Sequence, residues 1–213
     1  MFKNRTEAGK ILASHLLPYK IGNVVVLGIP RGGIPVASEV AKSIRAPIDV
    51  VLSKKIGHPF NKEYAIGAVS LEEVIINSPE NFPDEYIKDE TRKIRELLAN
   101  RYQQYHTRFN KISLKNKTVI IVDDGIATGT TLLSTINLVN KQQPEEIIVA
   151  IPVAPVSAIN MLKNSTLISK VICLETPPNF NSVGQFYDNF QPICDENAIA
   201  ILEKTNRDYF NQM

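Results

Sequence analysis

The chain has 213 residues, 44% hydrophobic and 22% charged, with 24 basic and 22 acidic side chains and a formal net charge of +2. That length suffices for one substantial core, the near balance of charge gives no electrostatic footprint for nucleic acid, and no apolar run approaches a bilayer span. Cys173 and Cys194 allow one disulfide at most and match no metal-ligand spacing, and the polar start Met1-Phe2-Lys3-Asn4-Arg5 is unlike a signal peptide, so a cytoplasmic protein is expected.

Residues 5–17 place Ala8, Ile11, Leu12, His15 and Leu16 at helical spacing, and His15 there reads as a face residue rather than a ligand. Val24 to Ile29 is a buried strand; the loop Pro30-Arg31-Gly32-Gly33 follows, then a helix through Val36, Ala37, Val40 and Ala41 with Pro35 in its first turn. Ile48 to Leu52 is the next strand, closed by Ser53-Lys54-Lys55 unless the strand has already ended there. Ala65 to Leu71 and Val74 to Asn77 read as a hairpin around Glu72-Glu73.

Residues 79–116 differ in character. They are polar and charged, with an apolar stripe at Ile87, Ile94, Leu98, Tyr102, Tyr105 and Phe109 that fits one long helix over roughly 83–110. Asp84, Glu85 and Glu90 early and Arg101 and Arg108 late complement the helix dipole. The stripe is too apolar to face water along its whole length, so this helical insertion is expected as a lid or a homodimer contact.

The strand–helix rhythm then resumes: strand 118–122, helix 131–141, strand 147–151, a helix after Pro155 through Ala158, Met161 and Leu162, and strand 169–174. Cys173 falls inside that last apolar run and reads as a small core residue. The pattern predicts an α/β fold, a Rossmann-like parallel sheet flanked by helices, as one domain over 1–213 with a C-terminal hood over about 175–213. Ligands of such sheets sit at the carboxyl ends of the strands.

Val119-Ile120-Ile121-Val122-Asp123-Asp124-Gly125-Ile126-Ala127-Thr128-Gly129-Thr130-Thr131 carries the functional signal. Four branched apolar residues form a buried strand, two carboxylates follow, and small and hydroxyl residues open a helix through Leu132, Leu133, Ile136 and Val139. A helix N-terminus with free N–H groups attracts phosphate, and paired acids accept hydrogen bonds from vicinal hydroxyls. A phosphate beside a diol describes a ribose 5-phosphate. The plainer alternative is a strand-to-helix turn capped by Asp. Arg31, with its planar five-donor fork, and the close-approach glycines Gly32 and Gly33 form a second anion-binding candidate. Read plainly, that loop is a glycine turn with a solvated arginine, and Lys54-Lys55 a solvated basic pair.

This run resembles the phosphoribosyl-pyrophosphate (PRPP) motif of type I phosphoribosyltransferases, with Gly125 departing from the apolar residue usual there. The whole chain is similar to the bacterial group of predicted phosphoribosyltransferases, through Gly-Ile-Pro-Arg-Gly-Gly, Ala65-Ile66-Gly67-Ala68 and the Asn-Ser-Val-Gly-x-Phe-Tyr segment. The resemblance implies a type I phosphoribosyltransferase fold and transfer of ribose 5-phosphate from PRPP to a nitrogenous base, with release of pyrophosphate. It implies that Asp123 and Asp124 hold the ribose hydroxyls. Gly125, Ile126, Ala127, Thr128, Gly129, Thr130 and Thr131 would hold the 5-phosphate. Arg31, Gly32, Gly33 and Lys54 or Lys55 would hold the pyrophosphate. Mg²⁺ would arrive with PRPP near Asp123 and Asp124 rather than in a protein cage. The hypoxanthine-guanine branch has Asp where this chain has Ala127, so a general acid must come from elsewhere: Glu63, or Glu175 as the alternative. Phe180, Phe186 and Tyr187 in the segment 175–191 are the expected stacking platform for the base, although aromatics in a late loop also serve to cover a sheet edge. A regulator that binds PRPP or a nucleotide without turnover, and a hydrolase or phosphorylase of ribosyl phosphates, are the rival readings.

Overall fold

Asn4 caps the first helix, α1 (Arg5–Ser14), its side chain accepting from the Glu7 N–H at 3.0 Å. In this computed structural model, which describes residues 1–20, 22–61, 64–76, 82–107 and 109–211, the chain continues through β1 (Val24–Gly28), α2 (Gly33–Ile44), β2 (Ile48–Val50), β3 (Lys54–Gly57), β4 (Ala65–Val69), β5 (Val74–Ile76) and α3 (Asp84–Tyr105). Then come β6 (Thr118–Val122), α4 (Thr130–Asn140), β7 (Glu146–Val153), α5 (Val156–Lys163), β8 (Lys170–Glu175) and α6 (Asp195–Phe210).

Five strands form one parallel sheet in the order β2-β1-β6-β7-β8. Strand alternation sends Val24, Val26, Ile120, Val122 and Ile148 to the face covered by α1, α2 and α6. It sends Val25, Leu27, Val119, Ile121 and Val149 to the face covered by α4 and α5. Burial on both faces is why these strands read as unbroken apolar runs.

A second, antiparallel sheet runs β3-β4-β5, and α3 lays Ile94 and Leu98 on its Ile56, Ile66 and Val69. The strand beginning at Ile48 therefore ends before Ser53-Lys54-Lys55. The parallel ladder stops at the pair Gly28–Val50 because β1 offers no further partner, and Lys54 and Lys55 open β3 instead. The long helix stops at Tyr105, short of the expected 110. There His106 Nε2 meets Asp49 Oδ1 at 2.8 Å, and Asp49 Oδ2 accepts the Ile112 N–H at 2.9 Å, so one buried carboxylate ties the helix end and the following loop to β2. Ile94, Leu98 and Tyr105 of the stripe are buried, Ile87 and Tyr102 half-buried, and Phe109 lies beyond the helix. Arg108 lies outside the described residues. His15 is exposed at the C-cap of α1, and Ile11 also faces outward.

The last part of the segment expected as a hood is α6, a helix that the sequence reading does not resolve. It packs against α2, where the Ser38 and Thr205 hydroxyls meet at 2.7 Å. Asn206 reaches the outer edge of β2, accepting the Ile48 N–H at 3.0 Å and donating to the Ile48 carbonyl at 2.7 Å. The aromatic stretch before α6 is pinned by the N-terminus: the Phe2 N–H donates to Phe186 O at 2.8 Å and the Asp188 N–H to Phe2 O at 2.9 Å. No helix among the described residues is long and apolar enough to cross a membrane.

Candidate active site

β1 and β6 lie side by side and end together, so the loops that follow them meet. The Ile29 N–H donates to Val122 O at 2.9 Å. The Pro30–Arg31 peptide is cis. A Cβ on Gly33 would lie 2.7 Å from Val122 O and 2.9 Å from Asp123 Cα, and one on Gly32 would collide with the Asp124 carboxylate. Both glycines have a steric purpose, but the space they leave is filled by the acid pair of the neighbouring loop. Close approach to a ligand is therefore not what makes glycine necessary at these two positions.

The second loop runs from Asp123 into α4. Gly129 caps that helix at φ +79°, a left-handed conformation costly for residues with a Cβ. Ala127, Thr128, Thr130 and Thr131 are exposed or line the cleft described next, and the first N–H groups of α4 have no partner within the helix. Of the expected phosphate set, Ile126 lines the cleft, but its side chain is largely buried beneath the sheet and its N–H already donates to Val153 O at 3.2 Å. A cleft of about 360 Å³ opens in front of this loop. Ile29 and Pro30 line it from the first loop, Ser53 from the strand-to-strand segment, Leu98 and Arg101 from α3, and Asp123 with Gly125 and residues 127–129 from the second loop.

The two acids differ. Asp123 faces the cleft, and its Oδ1 accepts the Asp124 N–H at 2.8 Å. Burial and the adjacent Asp124 charge push its carboxyl well above the ordinary value. Asp124 turns the other way: its Oδ2 accepts from Arg5 Nε at 2.7 Å, and the two side chains are 12% and 10% exposed. Arg5 Nη1 also donates to Gln191 O at 2.9 Å, and the guanidinium sits 3.8 Å from the centre of the Phe190 ring. One arginine thus joins α1, the second loop and the aromatic segment. Nothing in the sequence marks it, because its partner is 119 positions away.

Tyr187 is a further correction. It is 5% exposed, its ring packs against Phe2 and Phe190 at 5.5 and 5.0 Å, and its hydroxyl donates to Asp124 O at 2.6 Å. It is a core residue with no face left for a base, and burial raises its phenol. Phe180 and Phe186 pack on each other at 5.2 Å and stay half-buried. Arg31 does not line the cleft; it is exposed, with Nη1 3.6 Å from Asp195 Oδ2. Lys54 is exposed and Lys55 already partnered, and neither lines the cleft. Glu63 lies outside the described residues. Cys173 and Cys194 are free thiols; burial pushes Cys173 up to about 11, which keeps it protonated near neutrality.

The family profile described as "Phosphoribosyl transferase domain" matches residues 3–191. The chain belongs to the phosphoribosyl transferase domain family. Two Mycobacterium tuberculosis proteins, from strains CDC 1551 and H37Rv, each named as a candidate phosphoribosyl transferase, are 34% identical over 214 residues. The match covers 98% of this chain but 48% of theirs, so the chain spans about half the length of the curated relatives it matches. The crystal structure of the protein TT1426 from Thermus thermophilus is 36% identical, with a TM-score of 0.86, covering 96% of this chain and 98% of that one. The parallel sheet with flanking helices is the type I phosphoribosyltransferase fold expected from the sequence. The departure at Gly125 from the family's apolar residue has a local cause. Its φ is +157°, and a Cβ there would lie 2.6 Å from Val183 Cγ1 of the aromatic segment. Helix α6 lies beyond the matched residues.

Proposed function

We propose that the chain transfers ribose 5-phosphate from PRPP to a planar nitrogenous base, with pyrophosphate as the leaving group. One observation carries this reading: the small-residue loop that opens α4 and the Asp123 carboxylate face a single cleft at the carboxyl ends of the parallel strands. The N–H groups of the first turn of α4 and the hydroxyls of Thr128 and Thr131 would hold the 5-phosphate. Asp123, once ionised, would accept from a ribose hydroxyl and set negative charge beside a ring that gains oxocarbenium character. Asp124, locked to Arg5, would position Asp123 through the shared turn rather than bind the sugar alone.

Mg²⁺ fits this donor set. Asp123 offers hard carboxylate oxygens at the cleft, the ligand type that suits an ion which keeps its waters and binds mainly through substrate phosphates. When bound, it would offset the charge building on the pyrophosphate. Phe180 and Phe186, half-buried in the segment whose Tyr187 bonds to Asp124, would be the aromatic surface for the base, although neither lines the cleft itself. A general acid at Glu63 remains part of this proposal.

PRPP with Mg²⁺ at a hundredfold excess over its dissociation constant should stabilise the fold by about 2.7 kcal/mol. For a chain this long that raises the melting temperature by roughly 5–11 °C. Pyrophosphate release that depends on an added base would establish transfer. No melting shift at millimolar PRPP would sink the reading, and release of free ribose 5-phosphate without any base would make the chain a hydrolase.

A further inference from the structure

Pyrophosphate carries several negative charges, and a site that stabilises its departure has to place positive charge within reach. The cations picked out by sequence do not line the cleft, whereas Arg101 does. Arg101 lies one turn beyond Leu98, which is 1% exposed and packs with Ile56, Ile66 and Val69, so the helix there is fixed to the small sheet. The residue is half-buried, and its guanidinium makes no hydrogen bond or ion pair among the described residues. Arg101 and Arg31 both favour the ionised form of the Tyr105 hydroxyl, which donates to Asp195 Oδ1 at 2.9 Å, while Asp195 opposes it. Two guanidiniums thus stand near one carboxylate. An arginine held on a helix, with no partner among the described residues and lining the cleft that the loop opening α4 faces, has its donor fork available for a second anion.

We propose that Arg101 binds the pyrophosphate end of the substrate, across the cleft from the loop that opens α4. The inference rests on the PRPP reading above and extends it to α3. The 5-phosphate end is provided for by N–H groups and hydroxyls of the second loop, so the charge left to be met is that of the pyrophosphate. The helix then does more than cover the small sheet: it carries a binding group into the site.

Calorimetry in the presence of Mg²⁺ tests this with PRPP, inorganic pyrophosphate and ribose 5-phosphate as separate ligands. The proteins are wild type, Arg101→Gln, Arg101→Lys and Asp123→Asn. Loss of charge-assisted hydrogen bonds should weaken PRPP and pyrophosphate binding to Arg101→Gln by about 10–100-fold. Ribose 5-phosphate should bind within about twofold of wild type, and Arg101→Lys should recover part of the loss because it keeps the charge without the fork. Should Arg101→Gln melt below the working temperature, Arg101→Met makes the same comparison. Wild-type PRPP affinity in Arg101→Gln, with Asp123→Asn weakened, would overturn the role of Arg101 and leave the PRPP reading standing. An equal loss on ribose 5-phosphate would overturn the assignment to pyrophosphate. Failure of the wild-type protein to bind PRPP at all would remove the reading beneath both.

Discussion

The two sheets of this molecule divide the work unevenly. Residues of β1, β6 and β7 are buried almost throughout, and the sheet they belong to has a core on each face. In the smaller sheet only β4 is buried nearly throughout; β3 opens exposed before its last two residues are buried, β5 is half-buried to exposed, and the sheet shares one small cluster with α3. The loop that opens α4 and the acid pair grow from the thick part, and Arg101 comes from the thin part. A cleft between a rigid wall and a lighter one can hold one end of a ligand in fixed geometry while the other wall adjusts to it.

The largest loss is expected at the thick wall. Arg5→Ala leaves the Asp124 carboxylate in a nearly buried site beside Asp123 with no partner, which should cost about 3–5 kcal/mol. The melting temperature should drop by roughly 6–20 °C. Adding Asp124→Asn to Arg5→Ala should restore part of that loss, and a double-mutant cycle measures the coupling. A strictly additive cycle would mean that Arg5 acts only through its contacts with the aromatic segment, the stacking on Phe190 and the hydrogen bond to Gln191 O.

A slightly smaller effect is expected at the thin wall. Leu98→Ala opens a cavity beneath α3 and should cost about 2–5 kcal/mol. Here the location matters more than the size. Hydrogen exchange should speed up in α3 and β3–β5 while the amides of β1, β6 and β7 keep their protection. Uniform acceleration across both sheets would show that they unfold as one unit and that the contrast between them has no energetic basis.

The smallest change should have the opposite sign. Because the Asp123 carboxyl lies above its ordinary value in the fold, its contribution to stability is present at low pH and is lost as pH rises through the raised value. Asp123→Asn removes a charge that burial penalises, so at neutral pH it should stabilise by about 0.5–2 kcal/mol, a gain typical of relieving a functional strain. The gain should shrink as the pH is lowered toward the ordinary value of 3.8. PRPP affinity should fall in the same variant, and in the wild type it should rise with pH as Asp123 ionises. A variant less stable than wild type at pH 7 would contradict this assignment of charge.

What can be read in the chain follows the same division. The central strands of the thick sheet are apolar at nearly every position, and the loop after β6 is an acid pair followed by small and hydroxyl residues at a helix start. Those features are local, so they are legible. β3 is blurred because Lys54 and Lys55 follow β2 with only three residues between, and nothing in their order shows where one ladder runs out and another begins. The aromatic segment misleads in part. Its rings look like a binding surface, but Tyr187 and Phe190 are engaged by Phe2 and Arg5 from the opposite end of the chain. Arg101 reads only as a complement to a helix dipole, since its distance from the loop after β6 depends on how a helix docks and not on any spacing. Helix α6 has a signal of its own in Asp195 and Glu196 ahead of Ala198, Leu202 and Thr205, a polar start followed by an inward stripe.

One contact of α6 bears on how the molecule behaves among its own kind. β2 is an outermost strand, and an outermost strand exposes peptide groups on which a second chain can template itself, the first step toward ordered aggregation. The side-chain amide of Asn206 supplies one acceptor and one donor to Ile48, the same pair of bonds that a neighbouring strand would offer. A strand arriving from another molecule finds both Ile48 groups already taken. Helix α6 therefore acts as a stopper at that point of the border, and a single amide fills the place that a sixth strand's peptide group would take.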